Sequence, residues 1–444
     1  MSSFNPKVYA DLLRVRQAYA FEAGCFLMRF YAYMMNIGTV TMLTLAGYSF
    51  FVAGLTSSII ALSTFFIAPR VSKLVDERGQ HRVVPVAAAI TMAGLAAMLV
   101  NIAAHGPEWA LFVAALPMGF VPNPQALARA RWTFLIRSGR LGDAAPDLRT
   151  MFSYEGVLDD IGFMFSPSIS IALASAITPV AGLLAGGISF AVGTTLLTLS
   201  RSTEPVPGWS DAARSAGASR AVDAAGASGA DADAASAAKA ARPKSVLRTS
   251  GVVRMLFAVM FFVGAFFSVF DATTVALSEE LGNPNIASVV LIVASCVSMV
   301  TGFLFGMVRL RIPQYAQLLV TAVIIGCAYG SMFLVDSALS LFIMSTIAAL
   351  FYAPLLITVN ATCERAVPGS RITEAITWMN AGMSCGMAFG PSVSGIIVDT
   401  WGAAASFDFG AVLAFAVPVT ALLGARILKQ GLQKSYEVVG QEHL

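Results

Sequence analysis

Long apolar stretches alternate with short polar connections along most of the 444-residue chain. A helix that crosses a bilayer needs about 20 consecutive, mainly apolar residues. The chain divides into twelve such stretches, near residues 23–46, 47–69, 83–104, 107–128, 151–176, 178–200, 253–276, 285–308, 313–335, 338–361, 373–397 and 402–425. The pattern predicts an all-α integral membrane protein with twelve transmembrane helices.

Positive charge is almost absent from these stretches. Of the 28 Lys and Arg residues, only Arg29 falls in the interior of a predicted helix; Arg254 lies in the first turn of one, and the others occupy the chain ends and every second connection. Basic residues concentrate in cytoplasmic loops of membrane proteins, so we expect both termini to be cytoplasmic. An Ala-rich composition that favours Arg over Lys indicates a bacterial inner (plasma) membrane. Only 12% of the residues are charged, far below a soluble protein.

One connection differs from the others in length and composition. Residues 201–250 are rich in Ala, Ser and Gly with few large apolar side chains, which predicts a disordered cytoplasmic linker. It separates an N-terminal six-helix bundle at 1–200 from a C-terminal six-helix bundle at 251–428, and 429–444 form a cytoplasmic tail.

A nine-residue motif occurs in both halves, as GFMFSPSIS at 162–170 and GMAFGPSVS at 386–394. Each copy falls in the fifth predicted helix of its half. Parallel six-helix repeats form one known transporter architecture, with the substrate site between the halves. We therefore expect two pseudo-symmetric six-helix bundles around a central cavity, although small residues and proline also recur for helix packing alone. The expected helix-kink residues are Gly162, Pro167, Gly386, Gly390 and Pro391.

A second motif follows the second predicted helix. Residues 69–82 read PRVSKLVDERGQHR and resemble the Gly-x-x-x-Asp-Arg-x-Gly-x-basic signature of the major facilitator superfamily. The resemblance implies alternating-access transport, with Asp76, Gly79 and Arg82 at a cytoplasmic gate. The nine-residue motif resembles the fifth-helix motif of 12-span proton-coupled exporters of drugs and metabolites in that superfamily, which implies proton-driven efflux. These exporters often carry an Arg in the fourth helix, but the fourth predicted helix here has none.

Arg29 requires a partner, because an Arg at the centre of a membrane helix costs about 2.5–3.5 kcal/mol. Acidic residues of the fifth predicted helix lie at a similar depth, and Glu155 and Asp159 share one face because they are four residues apart. The predicted proton-coupling group is Glu155, Asp159, Asp160 and Arg29. The alternative is an ion pair that only joins two helices. The candidate cavity residues are Glu22, Tyr33, Asn36, Trp378 and Asn380.

The sequence lacks the motifs of several other function classes. It contains no phosphate-binding loop, no nucleophile elbow and no metal-ligand spacing. We therefore expect no enzyme activity, cofactor, metal or nucleic-acid partner, and a monomer in the bilayer. The expected function is secondary active transport of a small molecule by alternating access, coupled to protons and directed outward. One alternative is proton-coupled import of a sugar, organic acid or other small metabolite, with Arg29 binding an anionic substrate. A non-transporting receptor or scaffold with the same fold is another.

Overall fold

The computed structural model describes residues 15, 17–141, 148–207, 246–307, 312–367 and 372–432. The helices before residue 208 are α1 (Tyr19–Leu45), α2 (Phe50–Arg78), α3 (Gln80–Ala103), α4 (Glu108–Met118), α5 (Pro124–Arg137), α6 (Leu148–Ala176) and α7 (Ala181–Leu199). Those after residue 245 are α8 (Val246–Thr249), α9 (Gly251–Glu280), α10 (Asn285–Met307), α11 (Gln314–Gly330), α12 (Ala338–Ala366) and α13 (Ile372–Leu423). Short 3₁₀ turns cover Arg201–Thr203 and Ser331–Leu334. The described residues contain no strand.

These helices make twelve crossings. Within the described ranges, nine helices are long and apolar enough to span a membrane. One of them, α13, makes two crossings, because Gly402 interrupts it with a left-handed φ of +84°. The remaining two crossings are α1, which carries Arg29, and the pair α4 and α5. The predicted all-α membrane fold is therefore confirmed.

The fourth predicted helix, 107–128, is a pair of helices rather than one. Its middle, residues 119–123, is not helical. Asn123 accepts the backbone N–H of Ala126 at 3.1 Å and so caps α5, and Pro124 fits the first turn because it has no N–H to satisfy. The predicted helix 107–128 was therefore wrong about where α5 begins and where it ends. The length of an apolar stretch gives no information about the Asn123 cap. Helix α5 extends to Arg137 and brings two more arginines into the bundle.

Serine caps define the start of several other helices. The Ser49 hydroxyl accepts the N–H of Val52 at 3.2 Å where α2 begins, and Ser250 accepts that of Val253 at 3.3 Å where α9 begins. Each cap satisfies one of the backbone donors that a helix start leaves without an internal partner. These helices therefore begin where the sequence supplies a hydroxyl before an apolar run.

Buried apolar side chains form two clusters, one for each half of the chain. One cluster is built from residues between 15 and 197. The other is built from residues between 246 and 428, and it also includes Ile37 and Ile171 from the first half. Each half thus has its own core, and the two cores meet through α1 and α6.

The two copies of the nine-residue motif occupy matching positions. The last serine of each copy contacts the first and the sixth crossing of its own half. The contacts are Ser170 with Gly38 and Gly182 in the first half, and Ser394 with Thr273 and Ser406 in the second. Equivalent residues 224 positions apart in sequence therefore have equivalent neighbours.

The segment assigned to a linker is ordered at both of its ends. After α7, Glu204 accepts the backbone N–H of His81 at 3.0 Å. Before α9, the N–H of Val246 donates to the Glu374 carboxylate at 2.8 Å. Residues 208–245, and the tail beyond 432, lie outside the described residues.

The two faces of the helical array differ in charge. One face carries exposed arginines, Arg78, Arg82, Arg140 and Arg248, and we call it the basic side. The opposite face, where α1 ends and α2 begins, we call the far side.

On the far side the two halves are in direct contact where α2 crosses α13. A Cβ on Gly54 would lie 2.0 Å from the carbonyl oxygen of Pro391, and a Cβ on Gly395 would lie 2.3 Å from that of Phe50. Real Cβ atoms do not approach a carbonyl oxygen so closely, so this crossing requires glycine at both positions. The glycines let the two helix backbones touch.

Hydrogen bonds reinforce this far-side contact. The Asp399 carboxylate accepts the N–H groups of Phe50 and Phe51 at 2.9 and 2.7 Å, at the positive end of the α2 dipole. The Thr44 hydroxyl donates to Glu279 at 2.6 Å. Together with the glycine crossing, these bonds close the far side between the halves.

Candidate functional site

A group of charged side chains is buried among α1, α5 and α6. Arg29 is 1% exposed and Glu155 is fully buried, and the Arg29 Nη2 atom binds the Glu155 Oε2 atom directly. Arg29 Nε lies 2.9 Å from Asp159 Oδ1, and Arg29 Nη1 lies 3.8 Å from Glu22 Oε1. One guanidinium group therefore faces three carboxylates.

A second arginine and two aromatic side chains complete the group. Arg129 Nη2 lies 3.5 Å from Asp159 Oδ2. The Tyr33 hydroxyl donates to Asp159 Oδ1 at 3.3 Å, and Trp132 Nε1 donates to Glu22 Oε2 at 2.8 Å. We define the charge cluster as Glu22, Arg29, Arg129, Glu155 and Asp159. With every member ionised, its three acids and two bases leave one negative charge.

The sequence analysis identified only part of the charge cluster. It brought together Arg29, Glu155 and Asp159, which the structure also places in contact. The side chain of Asp160 lies outside the described residues. Glu22, expected in the cavity wall, lies in the charge cluster instead because Trp132 holds it there. Arg129 and Trp132 were missed because they follow residue 128, where the predicted helix ended.

A cavity of about 100 Å³ lies between the halves, on the far-side flank of the charge cluster. Tyr33 and Asn36 line it as expected, and so do the prolines of both motif copies, Pro167 and Pro391. Asp271, which the sequence analysis did not select, also lines it. The central cavity expected from the repeat is therefore present at the interface of the halves.

Other predicted cavity residues lie elsewhere. The described lining residues include neither Trp378 nor Asn380. Trp378 packs against the apolar core of the second half, and Asn380 is exposed. Of the motif glycines, Gly162 lies against the ring of Tyr33, whereas Gly386 and Gly390 let α13 approach α9.

Four aromatic rings cross the interface between the halves beside this cavity. Ring-centre distances are 5.6 Å from Tyr33 to Phe163, 5.9 Å from Phe163 to Phe267 and 5.0 Å from Phe267 to Tyr352. We call these four residues the aromatic bridge. Tyr33 belongs to both structures, since its ring begins the bridge and its hydroxyl binds Asp159 in the charge cluster. Sequence periodicity gives no signal for ring contacts between distant helices, so the bridge was not predicted.

The predicted gate residues lie at the corner between α2 and α3, on the basic side. Gly79 joins the two helices with a φ of +91°, a conformation that favours glycine. A Cβ there would also lie 2.9 Å from the Glu204 carboxylate. Asp76 and Arg82 are exposed on either side of this turn. Gly79 therefore forms a tight turn, and the gating role of the three residues stays a prediction.

A second buried arginine holds this corner to the rest of the first half. Arg131 donates to Gln80 Oε1 at 2.7 Å and to the Leu197 carbonyl at 2.9 Å, and it also binds the Ser200 carbonyl. The last carbonyls of a helix have no internal partner, so a cation is favourable there. Gln80, the residue after Gly79, thus connects the corner to α5 and through Arg131 to the end of α7.

We expect Arg131→Ala to lower the free energy of unfolding by about 3 kcal/mol, because the variant leaves buried carbonyl and amide acceptors without a donor. Arg137→Ala provides a matched control, since Arg137 is exposed on the same helix. Unfolding in mixed micelles with increasing SDS, followed by tryptophan fluorescence, measures both variants. Equal stability of the two would contradict the structural role of Arg131.

Several solved structures that share this fold are membrane transporters rather than enzymes. The POT family transporter PepTSo is 15% identical, with 94% of this chain and 98% of that chain aligned and a TM-score of 0.64. The nucleoside transporter NupG is 13% identical over 94% of this chain and 99% of its own, with a TM-score of 0.61. A POT family transporter in complex with 5-aminolevulinic acid is 13% identical over 93% and 96%, with a TM-score of 0.63. No family model and no curated protein sequence matches the chain. At these identities the likeness establishes the fold.

Proposed function

We propose that this protein is a secondary active transporter that moves a small molecule by alternating access and is driven by protons. The observation that carries the proposal is the charge cluster, buried in one half of a transporter fold beside a cavity between the halves. In this proposal residues 1–200 and 251–428 are the two moving units, and 201–250 connect them. The basic side is cytoplasmic, both termini lie on it, and the membrane is a bacterial inner membrane.

The charge balance of the cluster supports proton binding. Burying an uncompensated charge is costly, and the cluster has one more acid than it has bases. One proton shared among Glu22, Glu155 and Asp159 makes the group neutral. Since coupled acids titrate as a group, the proton belongs to the cluster rather than to one residue. A group of this kind can bind a proton facing one side of the membrane and release it facing the other.

Contacts of Asp159 suggest how protonation affects the path of the substrate. Asp159 accepts a hydrogen bond from Tyr33, whose ring begins the aromatic bridge between the halves. Protonation removes the charge that holds Tyr33 and weakens the attraction to Arg29 and Arg129. The rings of the bridge then lose one fixed contact, which favours separation of the halves on the basic side. We place the cytoplasmic gate at this level and at the corner of Asp76, Gly79 and Arg82.

We propose outward transport, because the nine-residue motif resembles that of proton-coupled exporters. Proton-coupled import of a metabolite is the second candidate, and the fold shared with peptide and nucleoside transporters supports it equally. The version of import in which Arg29 binds an anionic substrate has no support, since Arg29 faces three carboxylates and does not line the cavity.

Export of a small cationic fluorescent dye from energised cells tests the proposal. We expect the wild type to expel the dye, a protonophore to stop the efflux, and Asp159→Asn to reduce efflux to the empty-vector rate. Asp336→Asn is the control, because Asp336 is exposed on the far side and, among the described residues, its carboxylate hydrogen-bonds locally, to Ser340. Its efflux should equal that of the wild type.

Two outcomes contradict parts of the proposal. Efflux that the protonophore does not change would contradict proton coupling. Efflux no faster than the empty-vector rate, with the protein confirmed in the membrane, would contradict export, and uptake of labelled peptides, nucleosides and sugars by the same cells would then test import. If the protein moves no solute in either direction, the result supports the alternative of a non-transporting receptor or scaffold.

A further inference from the structure

We propose that the cavity between the halves binds the ammonium group of a small organic amine, with Asp271 as its counter-charge. This inference rests on the proposed function, since it names the class of molecule that the transporter would carry. It concerns the cavity and not the charge cluster, and the two sites use different acids.

The charge of the cavity points to a cation. Among the described residues that line it, Asp271 is the single ionisable acid and none is basic. The Oδ1 atom of Asp271 is buried, and no described residue donates a hydrogen bond to it. A buried carboxylate without a partner is costly, so this group needs a ligand, a proton or water. The nearby arginines are not available to it, because Arg29 and Arg129 contact the acids of the charge cluster.

Other walls of the cavity also offer hydrogen-bond acceptors. The Asn36 Oδ1 atom, which belongs to the opposite half, is buried without a hydrogen-bond partner among the described residues. Ser168 lines the same cavity, and its buried hydroxyl is likewise unpartnered there. An ammonium group has three N–H donors and no acceptor. It can therefore satisfy Asp271 and Asn36 together, and an amine bound this way contacts both halves.

Aromatic rings provide the surface for the rest of the molecule. Tyr33, Phe163 and Phe267 line the cavity on its basic-side flank, where they form most of the aromatic bridge. Faces of such rings attract cations and pack against apolar groups. The buried phenols Tyr329 and Tyr352 are the titratable neighbours of Asp271 on α11 and α12. Neither carries a positive charge, so the negative field of Asp271 is not cancelled within the second half.

Three aromatic probes of similar size test the assignment on the purified full-length protein in lipid nanodiscs. Benzylamine, benzyl alcohol and benzoate carry a cationic, a neutral and an anionic group on the same phenyl ring, and the change in the tryptophan-monitored unfolding temperature at pH 7 reports their binding. We expect benzylamine to bind at least about tenfold more tightly than benzyl alcohol, and benzoate more weakly than either. Asp271→Asn should abolish the preference for the amine. Asp408→Asn should keep it, because Asp408 is exposed and outside the cavity lining.

Several results would overturn the assignment. These are a preference for benzoate or benzyl alcohol, an unchanged amine preference in Asp271→Asn, and no shift with any probe at millimolar concentration. An unchanged preference in Asp271→Asn would mean that the amine preference does not come from the charge of Asp271. Binding and transport can fail separately. Amine binding through Asp271 without amine flux in proteoliposomes would contradict the proposed function alone, and flux of a neutral or anionic solute that is independent of Asp271 would contradict this inference alone.

Discussion

Arg29→Met is expected to destabilise the protein by about 3–5 kcal/mol, the cost of removing one partner from a buried ion pair. In the wild type, Arg29 contacts Glu22, Glu155 and Asp159. Its removal leaves three buried acids with Arg129 alone to balance them. At neutral pH the variant must then bury excess negative charge or take up protons to neutralise it. Methionine fills a similar volume, so the loss reflects charge and hydrogen bonding more than packing.

A compensating substitution separates this electrostatic effect from a packing effect. Adding Glu155→Met to Arg29→Met removes the acid that binds Arg29 most directly, and we expect the double variant to recover at least half of the loss. Arg254→Met, at an exposed position on α9, should be close to neutral. SDS-induced unfolding measures all three variants. A double variant less stable than Arg29→Met would show that the cluster is held by packing and not by charge balance.

Gly54→Leu should prevent closure of the far side. Any side chain at position 54 meets the backbone oxygen of Pro391, and a backbone atom cannot move aside as the end of a flexible side chain can. The halves must therefore separate at the α2–α13 crossing. We expect the variant to remain open to the far side and to lose transport, because alternating access requires both closures.

Labelling of Ser392→Cys by a membrane-impermeant maleimide measures this opening. Ser392 hydrogen-bonds to Ser58 across the interface at 2.6 Å, so the site is covered while the far side is closed. In a background without the five native cysteines, Gly54→Leu should raise the labelling rate about tenfold, which corresponds to a shift of about 1.4 kcal/mol in the opening equilibrium.

The matched control is Gly182→Leu, where the new side chain would meet the Ser170 carbonyl oxygen within the first half. It should lower stability without raising the labelling rate. Unchanged labelling in an inserted Gly54→Leu protein would contradict the far-side closure described here.

Helix positions followed from the sequence because membrane helices have a length set by the bilayer. The break between α4 and α5 could not be predicted in this way. Mean hydropathy over a long window does not detect the Asn123 cap or the two prolines beside it, Pro122 and Pro124. This error concealed Arg129, and with it half of the positive charge in the cluster. A search for capping residues before proline would have found the start of α5.

The pairing of Arg29 with Glu155 and Asp159 was predictable because equal depth and helical spacing are one-dimensional properties. Contacts that depend on how the two halves pack against each other were not predictable from the sequence. The aromatic bridge joins Phe163 to Phe267 across the interface, and no pattern in a single sequence relates these positions. Asp271 was not selected for the same reason, since its place in the cavity depends on α10 and α13 as well as on its own helix.

The aromatic bridge also bears on energy conservation. A transporter driven by protons wastes the gradient if a continuous file of water connects its proton-binding acids to both sides of the membrane. Along α6, Phe163 follows Asp159 by one turn, and along α9, Phe267 precedes Asp271 by one turn. The stacked rings therefore place an apolar barrier between the two acids. In the proton-driven transporter proposed above, these rings and the polar contacts of the far side are two successive barriers to proton leakage.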